Sequence, residues 1–237
     1  IRDSGVFDRT ITVWVGDVKY KDISGPDDVP DGVIDDYDKT NIGSPMPKFT
    51  FGWTNTFRYK NFDLSVFING SYGNKVYNYL SMKLTHMNSP WTNQLNAVNG
   101  RAQLVPINPN KVYEDGTMWY NDVSNVMVAN PGASIPRATI NDPNDNDRIS
   151  DRYIEDGSYI RLKNISLGYT FPKKTIDKLG LSNLRIYANI QNLLTITGYD
   201  GYDPEIGAST SSVNVYGLDN GRYPAPTVYS FGLNVSF

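Results

Sequence analysis

The sequence of 237 residues contains no cysteine, a single histidine and no excess of basic side chains. The absence of cysteine excludes a disulfide framework, a thiolate metal site and a cysteine nucleophile. With 22 Lys and Arg against 25 Asp and Glu, the formal net charge of −3 gives no electrostatic footprint for nucleic acid. No apolar run reaches the ~18 residues that a transmembrane helix needs.

Sequence signatures of catalysis are also missing. His86 lies in the polar stretch LTHMNSPW without a partner motif, so we expect a surface residue rather than a catalytic base. There is no Ser-His-Asp spacing, no P-loop and no dinucleotide-binding glycine motif. Carboxylates are plentiful, but their spacing selects no pair for glycoside hydrolysis. The sequence therefore predicts a protein that is not an enzyme.

Aromatic and turn-forming residues are abundant instead. Aromatic residues make up 13% of the chain, with 17 Tyr, and there are 20 Gly. This composition is typical of β-strands joined by polar loops.

Five segments alternate between apolar and polar residues, as TVYSFGLNVSF does at residues 227–237. This alternation predicts strands with one apolar face. Only Lys60 and Asn61 separate the first two segments, which predicts a tight hairpin. The third segment changes phase, and a bulge near Lys163 or Asn164 would reconcile its two halves. The five predicted strands are residues 49–59, 62–71, 158–171, 184–195 and 227–237.

The connections between these strands differ sharply in length. Residues 60–61 and 172–183 are short connections, whereas residues 16–48, 72–157 and 198–226 are long ones. Short turns at one end and long loops at the other are typical of an outer-membrane barrel, whose tilted strands have about ten residues. Alternation alone also fits a soluble carbohydrate-binding β-sandwich, which is the alternative interpretation.

Four stretches together carry a resemblance to a known family. They are residues 16–78, RISDRYIEDGSYIRLKNISLGYTFP (148–172), LRIYANIQNLLTITGYDGYDPEI (184–206) and YPAPTVYSFGLNVSF (223–237). In this order they resemble the C-terminal part of the SusC/RagA family of TonB-dependent outer-membrane transporters.

The resemblance implies an all-β fold: C-terminal strands and long extracellular loops of a 22-stranded antiparallel transmembrane β-barrel, as a fragment of a longer chain. It implies an outer-membrane location, with the remaining barrel and plug as partners along with TonB, membrane lipid and a SusD-like surface lipoprotein. The implied activity is TonB-dependent import of oligosaccharides or peptides. A siderophore-type TonB-dependent transporter is a further alternative.

Aromatic residues of the long loops are the candidate ligand contacts. A flat apolar ring between hydrogen-bonding groups suits a sugar ring and equally suits a peptide. The same rings would also serve to pack the loops together or against a lipoprotein partner. The candidates are Trp91, Trp119, Tyr120, Tyr199, Tyr202 and Tyr216.

An acidic loop, DISGPDDVPDGVIDDYD, is a candidate calcium site. Hard cations take several oxygen ligands held by a turn, and Gly32 permits such a turn. The family often has a D-x-N-G-D-G-x-I-D run here, but in this chain residues 25–30 interrupt the spacing. The alternative is a solvated acidic loop. The candidate ligands are Asp22, Asp31, Asp35 and Asp38.

The alternation also assigns polar side chains to the lumen of the implied barrel. These are Arg58, Asp63, Arg185, Asn189 and Gln191.

Overall fold

The computed structural model describes residues 7–8, 11–89, 91–140, 142–205 and 216–237, with side chains described from Val13 onward. The predicted outer loop 198–226 therefore lies partly outside the described residues. The strands are β1 (Phe7–Asp8), β2 (Ile11–Thr12), β3 (Phe49–Tyr59), β4 (Phe62–Tyr72), β5 (Lys75–Asn78), β6 (Leu104–Pro106), β7 (Val126–Val128), β8 (Ile154–Asp156), β9 (Tyr159–Thr170), β10 (Asn183–Thr197), β11 (Leu218–Asp219) and β12 (Val228–Ser236).

Helical structure is sparse, and the expectation of an all-β fold is confirmed. In the part of the chain that the structure describes, the two α-helices are α1 (Tyr79–Thr85) and α2 (Lys173–Ile176), and the other helical segments are short 3-10 turns. Among the described residues, no helix is long and apolar enough to cross a membrane. The 3-10 turns are Asp36–Asp38, Asn96–Gly100, Trp119–Asn121, Val123–Asn125, Asp151–Tyr153 and Asp177–Leu179.

The chain divides into two compact units. Unit 1 comprises Ile1–Ile42 and Leu80–Tyr153, and unit 2 comprises Gly43–Tyr79 and Ile154–Phe237. Residues 72–157, assigned to one long loop from the sequence, contain β5 to β8 and α1.

Unit 2 is built on a five-stranded antiparallel sheet in the order β12-β10-β9-β4-β3. The hairpin expected at Lys60-Asn61 is confirmed, because Tyr59 pairs with Phe62. Lys60 takes a positive φ of 52°, as one residue of such a tight turn must.

The register of this sheet separates its two faces. Phe57 pairs with Leu64, Leu64 with Leu167, Leu167 with Ala188, and Ala188 with Phe231, so one apolar row crosses five strands. The next row, displaced by one residue, pairs Thr56, Ser65, Ser166, Asn189 and Ser230. Because side chains alternate along a strand, these rows lie on opposite faces. We call them the apolar face and the polar face.

A bulge preserves this separation. In β9, Asn164 pairs with Phe67 but Leu162 pairs with Ile68, so Lys163 has no partner in β4. The bulge predicted near Lys163 or Asn164 is thereby confirmed. On the other side of β9 the register also shifts, between Gln191 and Leu194. One additional residue reverses the phase of a strand, so both halves of β9 keep their apolar side chains on the apolar face.

A short connection joins β9 to β10. It contains α2 and one 3-10 turn. Gly180 follows this turn in the left-handed conformation, with a φ of 70°. Ile176 is almost fully buried there and anchors the connection. A second sheet in unit 2, of order β11-β5-β8, contains buried Val76 and buried Asp219.

Unit 1 has small strand pairs and a buried polar network. Strands β6 and β7 form an antiparallel pair, with Leu104 opposite Val128. The Asp17 side chain is buried and accepts hydrogen bonds from the Trp14 backbone and from the Asn146 amide. Arg137 forms an ion pair with Asp17 at 2.8 Å, which compensates this buried carboxylate.

Candidate functional site

The polar face of the sheet carries an ion pair between β4 and β10. Arg185 donates from Nε to Asp63 Oδ1 at 3.1 Å and from Nη2 to Oδ2 at 2.6 Å. Strand β9 lies between these two strands. Its residue beneath the ion pair is Gly168, which pairs with Asp63 in β4 and with Tyr187 in β10. The planar guanidinium and the carboxylate thus make a two-point contact of fixed geometry.

Two glycines give these side chains their room. A Cβ at Gly168 would lie 2.6 Å from Asp63 Oδ1 and would overlap the Arg185 guanidinium. A Cβ at Gly232 would overlap the ring of Tyr187, which lies over that glycine. Arg185 also lies 5.1 Å from the Tyr187 ring centroid, within the range of a cation–π contact. Asp63, Arg185 and Tyr187 therefore form one connected group.

A second cationic group on the polar face joins β9 to the loop after β10. Arg161 is 3% exposed and donates to Thr195 Oγ1 at 2.8 Å. Its two terminal nitrogens pair with Asp203 and with Glu205, the latter at 2.6 Å. Lys163, the bulge residue, reaches the same Glu205 oxygen at 2.8 Å. We call Arg161, Lys163, Asp203 and Glu205 the strap cluster.

Electrostatics favour the ionised form of Asp203 in the strap cluster. Burial by itself would raise the pKa of Asp203, but hydrogen bonds from Arg161 and from the Ala225 and Glu205 backbone together lower it. The cluster is thus held by charge-assisted bonds. Sequence reasoning did not single out these residues, because Arg161 lies 42 residues from Asp203 in the chain.

Unit 1 contains a groove of about 340 Å³ beside the β6–β7 pair. Pro106, Pro109, Met118 and the sequence-predicted Trp119 form its apolar lining. Tyr120 packs edge-on against Trp119, with ring centroids 5.6 Å apart. The structure thus brings two of the six aromatic candidates together and places one of them in a groove.

An ion pair braces the polar side of this groove. Lys111 Nζ donates to Asp122 Oδ2 at 2.6 Å, and the Tyr113 hydroxyl donates to the same oxygen at 2.9 Å. The hydrogen bond from Lys111, followed by those from Ser124 and Tyr113, lowers the pKa of Asp122 well below its ordinary range. Because these groups are paired with one another, the open surface of the groove is mainly its apolar lining.

The other aromatic candidates are dispersed. Trp91, 93% exposed, Tyr202 and Tyr216 are exposed. Tyr199 is 5% exposed, and its hydroxyl donates to the buried Asp219 carboxylate at 2.5 Å. Burial, then Asp219, raises the pKa of Tyr199. This environment favours a packing role for Tyr199 over ligand contact.

The four calcium candidates act as acceptors for backbone N–H groups. Asp22 accepts from Gly32 at 2.6 Å, and Asp38 accepts from Ile23 at 2.7 Å. Asp35 accepts from Tyr37 and forms a capping box with Asp38, while Asp31 accepts from Val33. Within the described residues, the His and carboxylate group whose ligand atoms all lie within 4.8 Å includes none of the four. Calcium in this loop therefore stays a prediction.

The expectation that His86 is a surface residue is wrong. Its side chain is 10% exposed and lies between Asp142 and Asp147. These partners are 56 and 61 positions away in the chain, so no local sequence motif could have predicted them.

Comparisons with known proteins were made for the whole chain. No family model matches it. It is 36% identical over 211 residues to TonB-dependent receptor P3 of Formosa agariphila, covering 87% of this chain and 18% of that protein. It is 33% identical to TonB-dependent receptor P26 of the same organism, covering 94% of this chain and 20% of that protein. With TonB-dependent receptor SusC of Bacteroides thetaiotaomicron the identity is 29%, covering 87% of this chain and 17% of that protein.

Solved structures give the same comparison at the level of the fold. The RagAB peptide transporter matches with a TM-score of 0.59 at 20% identity, over 82% of this chain and 18% of that chain. The RagAB peptide importer in the open-open state also matches with a TM-score of 0.59, at 19% identity over 90% of this chain and 20% of that chain.

The all-β fold, with its two-faced antiparallel sheet, is thus of the kind found in those transporter chains. The chain belongs to the SusC/RagA family of TonB-dependent receptors. It spans about a fifth of the length of the curated relatives that it matches. These relatives favour the transporter family over the β-sandwich module.

Proposed function

We propose that this chain forms part of the barrel wall, the lumen lining and the outer loops of an outer-membrane transporter that imports oligosaccharides or peptides with energy from TonB. The observation that carries the proposal is the apolar face of the sheet. Its side chains are large and open to the surroundings, and Phe231 is 85% exposed. Trp53, Phe57, Leu167 and Leu233 are also exposed.

Such a surface suits lipid better than water. Monomeric soluble proteins rarely expose a contiguous apolar patch above a few hundred Å². Here the apolar rows cross all five strands, and β3 and β4 each have 11 residues, enough for a tilted strand to cross a bilayer. The apolar face would therefore contact the hydrocarbon region.

The polar face would then line the lumen. It carries Asp63 and Arg185 as a pair and Asn189 and Gln191 as amides. Charged and amide groups in the interior of such a barrel remain in contact with water or with each other, which avoids the cost of placing them in lipid. This assignment supports the transport interpretation rather than a sealed structural sheet.

The partners follow from the relatives. Relatives carry TonB-dependence in their names, and the solved relatives are RagAB assemblies described as a peptide transporter and importer. By this analogy we infer TonB as the energy source and a SusD-like surface lipoprotein as the outer partner, with a plug supplied by the rest of the transporter. We place ligand contact at the groove that contains Trp119, because its open surface is apolar and aromatic.

A single cysteine placed in this stretch, which has none of its own, tests the faces against the labelling of the unsubstituted transporter. We expect Phe231→Cys, in the complete transporter in intact outer membranes, to resist a water-soluble maleimide. The matched Asn189→Cys, on the polar face, should react. Equal labelling of the two positions would contradict the lipid-facing assignment.

Transport itself is tested by deleting the transporter gene in its host. Growth on an oligosaccharide or on a peptide mixture as sole nutrient should fail for one nutrient class. Deletion of TonB should produce the same failure. Normal uptake of both classes in the transporter mutant would refute the proposed import.

A further inference from the structure

His86 is fixed at the end of α1. Its backbone N–H donates to the Met82 carbonyl at 3.1 Å, and Met82 is buried. From this position the ring points at the loop 142–147. Nε2 lies 2.8 Å from Asp142 Oδ2, and Nδ1 lies 3.3 Å from Asp147 Oδ2. The single histidine of the chain therefore bridges two segments of unit 1.

Both ring nitrogens lie near carboxylate oxygens: Nε2 is within hydrogen-bond distance of Asp142, and Nδ1 is within ion-pair distance of Asp147. A neutral imidazole can keep one N–H for Asp142 but has no charge that attracts Asp147, whereas the doubly protonated ring attracts both carboxylates. Charge on the ring is therefore coupled to the joining of α1 and the loop.

The carboxylate on the inner side is held by its own loop. Asp142 is 5% exposed, and its two oxygens accept from the Asn146 backbone and side chain, each at 2.6 Å. Asn146 accepts from the Val18 backbone at 2.8 Å and donates to Asp17 at 3.2 Å. A displacement of Asp142 would therefore be transmitted to the segment containing residues 17 and 18.

The other charged groups around His86 do not replace the two carboxylates. On α1, Lys83 opposes protonation of the ring. Asp17 is paired with Arg137, and Asp145 lies 3.7 Å from Arg148. Tyr20 and Tyr153 remain neutral, since burial raises the pKa of both hydroxyls, and Arg152 lies against the Tyr153 ring.

We propose that His86, Asp142 and Asp147 form a pH-dependent clamp that holds the end of α1 against the loop 142–147 and weakens when the imidazolium loses its proton. The clamp is strong while the ring is charged and Asp142 is ionised, and its weakening loosens both the loop and the segment of residues 17–20. This inference does not depend on which nutrient the transporter carries.

The direction of the pH dependence follows from the two partners. The hydrogen bond to Asp142 raises the pKa of His86 above its ordinary value of 6.5, in spite of burial. A group whose pKa is raised in the folded state contributes stability that is fully present below its pKa in the unfolded chain. This stability is lost as pH rises through its pKa in the folded state. Burial alone would raise the pKa of Asp142, but the hydrogen bonds from His86 and Asn146 lower it below its ordinary value. The stability that ionised Asp142 contributes is therefore lost only in acid.

The clamp is tested by hydrogen exchange of the complete transporter in detergent, comparing H86Q with the wild type at the same pH so that intrinsic exchange rates cancel. At about pH 6 we expect H86Q to exchange several-fold faster than the wild type in residues 80–86 and 142–148, because glutamine carries no charge that attracts the two carboxylates. At about pH 9 the difference should shrink below about twofold. An equal difference at both pH values would overturn the proposal, because it would indicate a purely structural role.

Two further variants keep the test decisive. Asp145→Asn removes a negative charge from an exposed carboxylate of the same loop and should leave the pH dependence unchanged. Asp147→Asn keeps the Asp142 contact and should shift the transition to lower pH. An unshifted transition in D147N would also overturn the proposal, and it remains measurable if H86Q does not fold.

Discussion

Arg185 reaches Asp63 by lying directly across Gly168. The ion pair joins strands that are not neighbours, so the strand between them must present no side chain at the crossing point. The glycine is therefore a structural requirement of the pair, and not a flexible element of the strand.

Gly168→Ala should weaken this contact. The added Cβ would overlap the guanidinium, and we expect a loss of about 1–3 kcal/mol in the free energy of unfolding, as for an overpacked site. The measurement is the temperature at which the folded band disappears from SDS gels when the samples are heated stepwise before loading. In an R185A background the same substitution should cost less, because contacting residues are coupled. Additive losses in the double variant would show that the glycine acts independently of Arg185.

Phe231→Arg should impair membrane insertion. If Phe231 lies near the bilayer midplane, an arginine there costs roughly 2–4 kcal/mol. Ser230→Arg, on the adjacent polar-face position, should cost much less because it would point to the lumen. The fraction of folded protein in purified outer membranes measures both. Equal yields would be incompatible with the assigned faces.

Arg161→Ala should release the loop that the strap cluster holds. Removing one partner of a buried ion pair costs about 3–5 kcal/mol, since the carboxylates stay behind without compensation. We expect faster hydrogen exchange and protease cleavage around residues 198–205. Lys178→Ala, a lysine in the β9–β10 connection outside the cluster, is the control and should leave this loop unchanged.

The strap cluster should also be insensitive to pH near neutrality. The pKa of Asp203 is lowered from 3.8, so its contribution is present above the unfolded value and is lost only as pH falls through the lower folded value. Exchange in residues 198–205, compared between wild type and R161A at matched pH, should differ by the same factor from about pH 5 to about pH 8. A change of this factor between these pH values would show that a titrating group other than Asp203 controls the strap cluster.

Tyr199→Phe should destabilise unit 2. It removes the hydroxyl that donates to the buried Asp219 carboxylate, and an unsatisfied buried group costs about 1–3 kcal/mol. Tyr202→Phe changes an exposed ring and should be neutral. Thermal unfolding of the purified transporter separates the two, and equal effects would argue against the buried hydrogen bond.

Trp119→Ala should weaken ligand capture if the groove contacts the nutrient. An aromatic contact contributes about 0.5–1.5 kcal/mol of free energy in addition to the effect of the buried surface area. We therefore expect roughly 2- to 10-fold weaker binding in W119A. Trp91→Ala removes a fully open ring and is the control. Binding of the nutrient identified by the uptake test is measured by calorimetry, and unchanged affinity in W119A would remove the groove from the ligand path.

The sequence predicted the parts of this molecule that depend on local alternation. The all-β class, the family and the Lys60-Asn61 hairpin are confirmed, and so is the bulge at Lys163, because a phase change is visible in the order of residues. The structure has strands at residues 159–170 and 183–197, where the sequence predicted strands at residues 158–171 and 184–195. The predicted bounds differ by at most two residues at each end.

Contacts between distant segments were beyond that reasoning. The environment of His86 depends on a loop 56 residues away, and that of Arg161 on carboxylates 42 and 44 residues away. A single sequence contains no signal for such pairings, since many Asp and Glu were equally available. In the acidic loop the composition suggested a cation, and the hydrogen bonds that its carboxylates accept from backbone N–H groups could not be predicted from composition either.

The two outermost strands of the five-stranded sheet impose an order on assembly. Within the described residues, β3 and β12 each pair with a sheet neighbour on one side only, which leaves a row of backbone N–H and C=O groups on the other. Hydrocarbon offers no water to satisfy these groups. In the membrane location proposed above, the edges must therefore find neighbouring strands before or while the aromatic rows enter the bilayer. Expressed alone, this stretch would join other copies edge to edge, so its insertion is a property of the whole transporter.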